Sequence, residues 1–405
     1  MNIEQRIARH VRQIPRSGIR DFFEVVQGMP DVISLGIGEP DFVTPWHIRE
    51  AAIYALERGR TSYTSNLGLP KLRQTIARYV EKAHGVVYDP RSEVLVSVGV
   101  SEALDLALRA LVDPGDEVIY HEPCYVSYLP SIELAHGVGV AIRTKEEDGF
   151  ILRAEALESA ITPRTKAVLL CFPTNPTGAT LPREELERIA KVCVERDLLV
   201  LTDEIYSELT YEQGGHRSIV SLQGMRERTI FLHGVSKAYA MTGFRIGFAC
   251  APVGLIEAMM KVHQYGILCA PIVSQDAAIE ALENGSDAME VMREDYRARR
   301  DFVVGALNKM GLPCRVPGGA FYVFPRISPL GMSSREFALG LLESKKVAAV
   351  PGSAFGVGGE GYIRCSYATS FENLRRAMDR MGEFVQERQN SDPGTTREAR
   401  ASDAA

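Results

Sequence analysis

Strand-like apolar runs alternate with helical patterns along the middle of the chain, and this alternation restricts the fold more than any other feature. The runs predicted to be strands are Glu93–Val98, Glu117–His121, Ala167–Phe172, Leu198–Thr202, Thr229–His233 and Ile246–Ala251. Helical spacing separates several of them, as at Ser101–Leu111 and Arg183–Glu195. The alternation predicts an α/β fold, with a mostly parallel central sheet and helices on both faces. Ligands of such sheets bind at the carboxyl ends of the strands, so polar residues directly after strands are the functional candidates.

The chain has 405 residues, which is enough for two domains. After a long helix predicted at Gly285–Met310, short strand and helix patterns predict a smaller α+β domain. We expect residues 1–45 to form an N-terminal arm and part of the small domain. Residues 46–290 should form the large domain, residues 291–388 the small C-terminal domain, and residues 389–405 a disordered tail. A short helix is predicted within the arm, at Gly18–Gln27.

Composition excludes several classes of protein. The net charge of −6 gives no basic footprint for nucleic acid, so no nucleic-acid partner is expected. No stretch approaches the roughly 20 apolar residues of a membrane helix, so no membrane partner is expected either. The seven cysteines form no closely spaced pairs, which argues against a metal site. Several lie in apolar runs and no signal-peptide pattern precedes them, which favours a reducing, cytoplasmic location.

Lys237 is the most unusual candidate. Phe231 and Leu232 precede it and the apolar run Ile246–Ala251 follows, so its amine is predicted to lie in apolar surroundings. Burial lowers the pKa of a lysine and makes it a usable nucleophile. With Arg245 nearby to bind a phosphate, the segment suggests a Schiff base with pyridoxal phosphate. Taken alone, a loop with a solvated lysine fits about equally well.

Two other candidates follow apolar strands. Asn175 lies between Pro173 and Pro176, which restrict its backbone and favour a functional amide. Asp203 ends an apolar strand, where a buried carboxylate needs a cationic partner such as a pyridinium N–H, and Tyr206 could share that site. Capping of a following helix is the alternative for Asp203.

Three further residues are ambiguous on their own. Ser101 could cap a helix whose N-terminus binds a phosphate, or be an ordinary cap. Tyr125 could stack on a flat cofactor or belong to the core. Arg364 lies within a strand and suits a substrate carboxylate, although an edge-strand ion pair is the commoner role.

Taken together, these motifs resemble the class I aminotransferases, which are pyridoxal-phosphate (PLP) enzymes of fold type I. The matching segments are Asn-Pro-Thr-Gly at 175–178, Asp-Glu-Ile-Tyr at 203–206, Ser-Lys at 236–237, Gly-Phe-Arg-Ile-Gly at 243–247, and Arg364. The resemblance runs from about Ile33 to Met381. Within that family, the chain resembles the archaeal aromatic aminotransferases and the acetyl-diaminopimelate aminotransferases about equally.

The resemblance implies a role for each matching residue. The catalytic residues would be Lys237, Asp203 and Tyr206. The cofactor would be bound by Val100, Ser101, Tyr125, Asn175, Asp203, Tyr206, Ser236, Lys237 and Arg245, together with Tyr63 from the other subunit of a homodimer with shared sites. The substrate would be bound by Gly38, Tyr125, Asn175 and Arg364. Where many relatives have Ser-x-Ser-Lys, this chain has Gly234 in place of the first serine.

The resemblance implies ping-pong transfer of an amino group between an L-amino acid and a 2-oxo acid such as 2-oxoglutarate. The segment His263-Gln264-Tyr265-Gly266 lacks the arginine of aspartate-specific members, which favours an aromatic or other neutral side chain. Tyr125, Tyr265, Ile37 and the glycine-rich loop 352–361 are candidates to line its pocket. A PLP lyase or decarboxylase on the same fold is the main alternative. A PLP-binding transcription regulator ranks behind it, because the arm is too short and too weakly basic for a DNA-binding domain.

Overall fold

The structure, a computed structural model, describes residues 2–15 and 29–391. Its strands are β1 (Ile33–Ser34), β2 (Val94–Ser97), β3 (Glu117–Glu122), β4 (Val138–Arg143), β5 (Thr165–Cys171), β6 (Leu199–Asp203), β7 (Thr229–Gly234), β8 (Gly247–Cys250), β9 (Tyr322–Val323), β10 (Val347–Ala348), β11 (Val350–Pro351) and β12 (Ile363–Ser366). Its helices are α1 (Arg9–Gln13), α2 (Trp46–Glu57), α3 (Pro70–His84), α4 (Val100–Leu111), α5 (Tyr128–Leu134), α6 (Ala154–Ala160), α7 (Arg183–Glu195), α8 (Val253–Gly266), α9 (Ile272–Asn284), α10 (Ser286–Lys309), α11 (Ser334–Lys345) and α12 (Phe371–Ser391).

The large sheet has seven strands in the order β2-β8-β7-β6-β5-β3-β4. Its strands are parallel except for β8, which is antiparallel to both β2 and β7. Side chains alternate along β5, so Leu169 packs in a core shared with α4 and α5, whereas Val168 and Leu170 pack in a core shared with α6 and α7. The mostly parallel sheet with helices on both faces is therefore confirmed.

Several elements were not predicted from the sequence. β4 is the edge strand of the large sheet, and most of its side chains are exposed or half-buried, so it lacks the apolar run of an inner strand. Helix α6 is short, with two buried residues, and α8 and α9 follow β8 directly. The three helices pack around the large sheet, and β4 forms its edge.

A second, three-stranded antiparallel sheet has the order β11-β12-β9. The strand predicted across Val347–Val350 is divided, because β10 pairs in parallel with β1 whereas β11 pairs with β12. This small sheet packs with α10 and α12 around its own apolar core. Strand β12, which carries Arg364, has a neighbouring strand on each side. The alternative that Arg364 lies on an edge strand is therefore wrong.

Two predictions concern the ends of the chain. Helix α12 continues to Ser391, so residues 389–391 are helical and the predicted tail begins later than residue 389. The helix predicted at Gly18–Gln27 and the remainder of the tail lie outside the described residues, and the domain limits stay a prediction. Within the described part of the chain, no helix combines the length and apolarity needed to cross a membrane. The seven cysteines are free thiols, and six of them are buried.

Candidate active site

A cavity of about 600 Å³ lies at the carboxyl ends of β5, β6 and β7, and residues of β9 and β12 complete its wall. This volume is typical of pockets that enclose small ligands, roughly 300–1,000 Å³. The predicted site residues that line it are Gly38, Val100, Ser101, Tyr125, Asn175, Asp203, Tyr206, Ser236, Lys237, Arg245 and Arg364. Residues that are far apart in the chain therefore meet at one point, as the strand topology requires.

Lys237 follows β7 and its neighbours Ala238 and Met241 are fully buried. Its Nζ donates a hydrogen bond to the carbonyl oxygen of Gly38 at 2.7 Å. Burial lowers the pKa of Lys237 to about 8, and the nearby positive charges of Arg364 and Arg245 act in the same direction. At a pKa of about 8, roughly a tenth of the amine is uncharged at pH 7, far more than for an ordinary lysine, and the uncharged form is the nucleophile.

Asp203 ends β6, and its carboxylate faces the cavity. Tyr128 donates its hydroxyl hydrogen to Oδ2 at 2.8 Å, and the N–H of Ile205 donates to Oδ1 at 3.2 Å. Burial raises the pKa of Asp203, although both hydrogen bonds oppose the rise. Among the described residues no lysine, arginine or histidine forms an ion pair with it, so this carboxylate can pair with a cationic ligand group.

Arg364 joins the two sheets. Its Nη1 donates to Oδ1 of Asn175 at 2.9 Å, and its Nη2 donates to the carbonyl oxygen of Gly36 at 2.6 Å. The guanidinium carbon lies 4.5 Å from the ring centre of Tyr322 and 4.8 Å from that of Phe355. Two rings and two acceptors thus fix the plane of the guanidinium, which suits recognition of a flat carboxylate.

An anion site lies where α4 begins. The N-cap residue Gly99 has φ 77°, and a Cβ there would lie 2.4 Å from a terminal nitrogen of Arg245, so the guanidinium lies directly against the helix N-terminus. Ser236 is buried beside it. Free N–H groups, a guanidinium and hydroxyls together suit a phosphate. The predicted capping role of Ser101 is wrong, because the helix begins at Val100 and Ser101 lies within its first turn.

Position 234 has no room for the first serine of the Ser-x-Ser-Lys pattern. A Cβ on Gly234 would lie 2.8 Å from the carbonyl oxygen of Ile246 and 3.0 Å from the Cα of Gly247. Both atoms belong to the backbone of the neighbouring strand segment, so a side chain here would force β7 and β8 apart. The glycine is therefore a consequence of how closely these two strands approach.

Four tyrosines line the inner wall: Tyr125, Tyr128, Tyr206 and Tyr322. The hydroxyls of Tyr206 and Tyr322 are 2.9 Å apart and share a hydrogen bond. The ring of Tyr125 packs edge-on against Tyr128, with ring centres 5.6 Å apart. Sequence reasoning missed Tyr128 and Tyr322, because the first lies at a helix start and the second in an apolar strand where an aromatic residue suggests core.

The remaining predictions for the site have mixed outcomes. Tyr63 is 83% exposed and does not line the cavity of its own subunit, so its predicted role in a neighbouring subunit stays a prediction. Ile37 lines the cavity, but Tyr265 is 87% exposed and lies outside it. The glycine-rich loop 352–361 does not reach the cavity wall within the described residues; its Phe355 instead supports Arg364 from behind.

These groups fit pyridoxal 5′-phosphate. The helix N-terminus with Arg245 suits its phosphate, the carboxylate of Asp203 suits a protonated ring nitrogen, and the amine of Lys237 suits its aldehyde carbon. The guanidinium of Arg364, which lines the same cavity, suits a substrate carboxylate. No group of His, Cys, Asp or Glu residues in the described part of the chain is arranged to hold a metal ion.

Comparisons with known proteins agree with this reading of the cavity. The family model for aminotransferase class I and II matches residues 30–381. A Bacillus subtilis protein described as a probable N-acetyl-LL-diaminopimelate aminotransferase is 47% identical over 374 residues, covering 92% of this chain and 94% of that protein. The aromatic-amino-acid aminotransferase 2 of Thermococcus litoralis is 45% identical over 374 residues, covering 92% and 96%. The solved structure of the aspartate aminotransferase from Thermus thermophilus with maleate superposes with a TM-score of 0.89 at 40% identity, covering 93% of this chain and 99% of that one.

The chain therefore belongs to the class I and II aminotransferases. It has the fold of the type I PLP enzymes and is a PLP-dependent transaminase that uses amino acid and oxo acid substrates. The resemblance inferred from the motifs is confirmed. The alternatives of a lyase or decarboxylase receive no support, because the similar proteins are named as aminotransferases.

Proposed function

We propose that this enzyme transfers the amino group of an L-amino acid with an aromatic or other large neutral side chain to a 2-oxo acid such as 2-oxoglutarate, by a ping-pong mechanism. The observation that carries the proposal is the composition of the cavity wall. Among the described residues, its cationic side chains are Lys237, Arg245 and Arg364. One is needed for the aldehyde, one for the phosphate and one for the α-carboxylate, so this subunit provides no further cation for an acidic side chain.

The positions of the cavity residues support the catalytic roles proposed for them. PLP, when bound, supplies an aldehyde carbon that condenses with amines and a ring that accepts the electron pair left on Cα. The Nζ of Lys237, which lines the cavity, would accept the proton from the substrate Cα and hold it for return. The carboxylate of Asp203 keeps the ring nitrogen protonated. Tyr206 and Asn175 donate hydrogen bonds to the ring oxygen.

Binding roles are assigned to the remaining residues of the wall. The phosphate is held by the N–H groups at Val100 and Ser101 and by the side chains of Ser101, Ser236 and Arg245. Tyr125 stacks on the ring. Gly38, Asn175 and Arg364 hold the α-carboxylate of the substrate, which orients its Cα–H bond toward Lys237.

Ile37 and Tyr125 are the proposed contacts for the substrate side chain, since both line the cavity and offer apolar surface. The relatives include an aromatic-amino-acid aminotransferase and an aspartate aminotransferase that binds maleate, so the family accepts both neutral and acidic ligands. A screen of single half-reactions tests the preference: phenylalanine and tyrosine should aminate the cofactor at least tenfold faster than aspartate, equivalent to about 1.4 kcal/mol. Faster reaction with aspartate would overturn the proposed side-chain class.

The role of Lys237 has its own test. Lys237→Ala should still bind the cofactor through the phosphate and ring contacts but should lose turnover by at least about 10⁴-fold. Cofactor retained after dialysis separates loss of chemistry from loss of binding. Turnover within tenfold of the parent enzyme would contradict the assignment.

The pH dependence of cofactor uptake tests the same amine independently. Because burial lowers the pKa of Lys237 to about 8, covalent uptake by the apoenzyme should accelerate as the pH rises to about 8 and then level off. Stopped-flow absorbance measures this rate. A rate still rising steeply between pH 9 and about 10.4, the pKa of an ordinary lysine, would mean that the amine is solvated.

We also propose a homodimer with shared active sites. Tyr63, Tyr265 and Trp46 are 83%, 87% and 57% exposed, and large exposed aromatic side chains often mark interfaces. If Tyr63 serves the partner's site, a mixture of Lys237→Ala and Tyr63→Ala subunits should form hybrid dimers with one intact site each. Hybrids should regain activity that neither parent variant has. No recovery in verified hybrids would show that Tyr63 acts, if at all, in its own subunit.

The proposed location is the cytoplasm. Its support is the set of seven free cysteines, six of them buried, none of which forms a disulfide in the described structure.

A further inference from the structure

Tyr322 lies at the junction of three parts of the site that were assigned separately. Its hydroxyl is hydrogen-bonded to that of Tyr206 at 2.9 Å. Its ring lies under the guanidinium of Arg364, whose carbon is 4.5 Å from the ring centre. A Cβ on Gly38 would lie 2.6 Å from the Tyr322 hydroxyl oxygen, so the backbone whose carbonyl accepts from Lys237 is packed directly against it.

The direction of the shared hydrogen bond determines what Tyr206 can do. Each phenol has a single hydrogen, and one of the two hydrogens occupies the bond between Tyr206 and Tyr322. If Tyr322 donates it, the hydrogen of Tyr206 is free for the ring oxygen of the cofactor. If Tyr206 donates it, Tyr206 can offer that oxygen no hydrogen at all.

The positive charge of Arg364 favours Tyr322 as the donor. The guanidinium lies on the face of the Tyr322 ring, within the range of a cation–π contact. It withdraws electron density from that phenol and makes its hydrogen the more readily donated of the two. Both tyrosines are largely buried, Tyr322 more completely than Tyr206.

We infer that Tyr322 is a positioning residue that donates to Tyr206 and so orients the Tyr206 hydrogen toward the ring oxygen of the cofactor. Two hydrogen bonds in series, Tyr322 to Tyr206 and Tyr206 to the ring oxygen, strengthen each other. They stabilise negative charge on that oxygen and so weaken its hold on the proton of the adjacent nitrogen, which links Lys237 to the cofactor. This inference rests on the proposed role of Tyr206.

The test is a spectrophotometric pH titration of the loaded enzyme, which reports the protonation of that nitrogen through the visible absorbance of the cofactor. In Tyr322→Phe the ring remains on Arg364 and only the hydroxyl is lost. The midpoint should rise by about 0.5 pH unit, the size expected if one cooperative hydrogen bond is weakened. Tyr206→Phe, which loses the direct donor, should raise it further.

A double variant and a matched control complete the experiment. If Tyr322 acts through Tyr206, the double variant Tyr206→Phe/Tyr322→Phe should titrate with the same midpoint as Tyr206→Phe alone. The control is Tyr367→Phe, which removes a buried hydroxyl bonded to the Ala320 carbonyl oxygen at 2.9 Å, outside the cavity wall. It should titrate as the parent enzyme does.

The outcomes separate this inference from the proposed function. An unchanged midpoint in Tyr322→Phe, with a raised one in Tyr206→Phe, overturns the inference and leaves the proposed roles intact. Additive shifts in the double variant also overturn it, because they would mean that Tyr322 acts independently of Tyr206. An unchanged midpoint in Tyr206→Phe overturns both the role of Tyr206 and the inference built on it.

Discussion

Asp203 and Glu204 are adjacent carboxylates, and their surroundings differ completely. Both are buried, with 6% and 1% of their surface exposed. Because consecutive residues of an extended segment point to opposite faces, Asp203 faces the active-site cavity and Glu204 faces the far side of the sheet. The pair provides an internal comparison between two buried acids at one place in the fold.

Glu204 has a full set of protein partners. Its Oε1 accepts hydrogen bonds from Thr202 at 2.9 Å and from Ser218 at 2.6 Å, and its Oε2 pairs with His216. Burial alone would raise the pKa of Glu204, but His216 and these hydrogen bonds lower it below its ordinary value. Glu204 is thus stabilised as a charge by the protein itself.

Among the residues that the structure describes, the hydrogen-bond partners of Asp203 are one tyrosine hydroxyl and one backbone N–H, and burial raises its pKa. The protein has therefore buried a carboxylate that it does not itself neutralise. The difference teaches that incomplete pairing, rather than burial, distinguishes a ligand-binding acid from a structural one.

The largest expected effect that tests this comparison is in Asp203→Asn. An amide cannot hold the ring nitrogen protonated, so kcat should fall by about 10³-fold. The apoenzyme should be as stable as the parent or more stable, because a poorly paired buried charge has been removed. Steady-state kinetics and urea unfolding of the apoenzyme measure the two effects, and a large loss of apoenzyme stability would contradict the comparison.

Glu204→Gln should show the reverse pattern. One donor to the carboxylate loses its acceptor and His216 loses its counter-charge, so the free energy of unfolding should fall by about 2 kcal/mol. The kcat of the loaded enzyme should stay within about threefold, since Glu204 does not face the cavity. If kcat instead fell as far as in Asp203→Asn, the two acids would not have separate functions.

A smaller effect is expected from Tyr128→Phe, which removes the hydroxyl donor to Asp203. The loss of one hydrogen bond to a charged group, about 1.4 kcal/mol, should lower kcat about tenfold. Tyr120→Phe is the matched control, because its hydroxyl bonds a different carboxylate, Glu122, at 3.2 Å and does not line the cavity. Equal losses of kcat in both variants would show a general effect of removing buried hydroxyls.

The smallest effect is on the acid sensitivity of the apoenzyme. Because the pKa of Glu204 is lowered on folding, its stabilisation is present above the pKa of the unfolded chain and is lost as the pH falls toward the folded value. The difference in unfolding free energy between the parent and Glu204→Gln should therefore shrink by about 0.6 kcal/mol from pH 7 to pH 4. The pKa of Asp203 is raised on folding, so the sign is opposite. As the pH falls, the parent enzyme should gain stability relative to Asp203→Asn, whereas it loses stability relative to Glu204→Gln.

Much of the site could be predicted from the sequence because its residues occur in short local segments. Lys237 and Asp203 each come at the end of an apolar strand, and Asn175 is flanked by two prolines, so adjacent residues made them candidates. The order and spacing of the motifs together then favoured the functional role over the structural alternatives. The central sheet was equally accessible, since the inner strands are continuous apolar runs.

What the sequence did not reveal depends on contacts between distant residues. Tyr128 bonds Asp203 across 75 positions and Tyr322 bonds Tyr206 across 116, and no local pattern distinguishes these tyrosines from core residues. The edge strand β4 was missed for a different reason, because exposure on both sides removes the periodicity on which strand prediction depends.

The bond between the Arg364 guanidinium and the Gly36 carbonyl has a consequence for biosynthesis. Its two partners are 328 positions apart, so nearly the whole polypeptide must leave the ribosome before they can meet. Arg245 and Lys237 are synthesised well before Arg364, because Arg364 lies in β12, which is translated near the end of the chain. The phosphate site can therefore form before the carboxylate site. We therefore expect a chain that ends before β12 to bind the vitamin-derived cofactor but not the carboxylate of an amino acid, because it lacks Arg364.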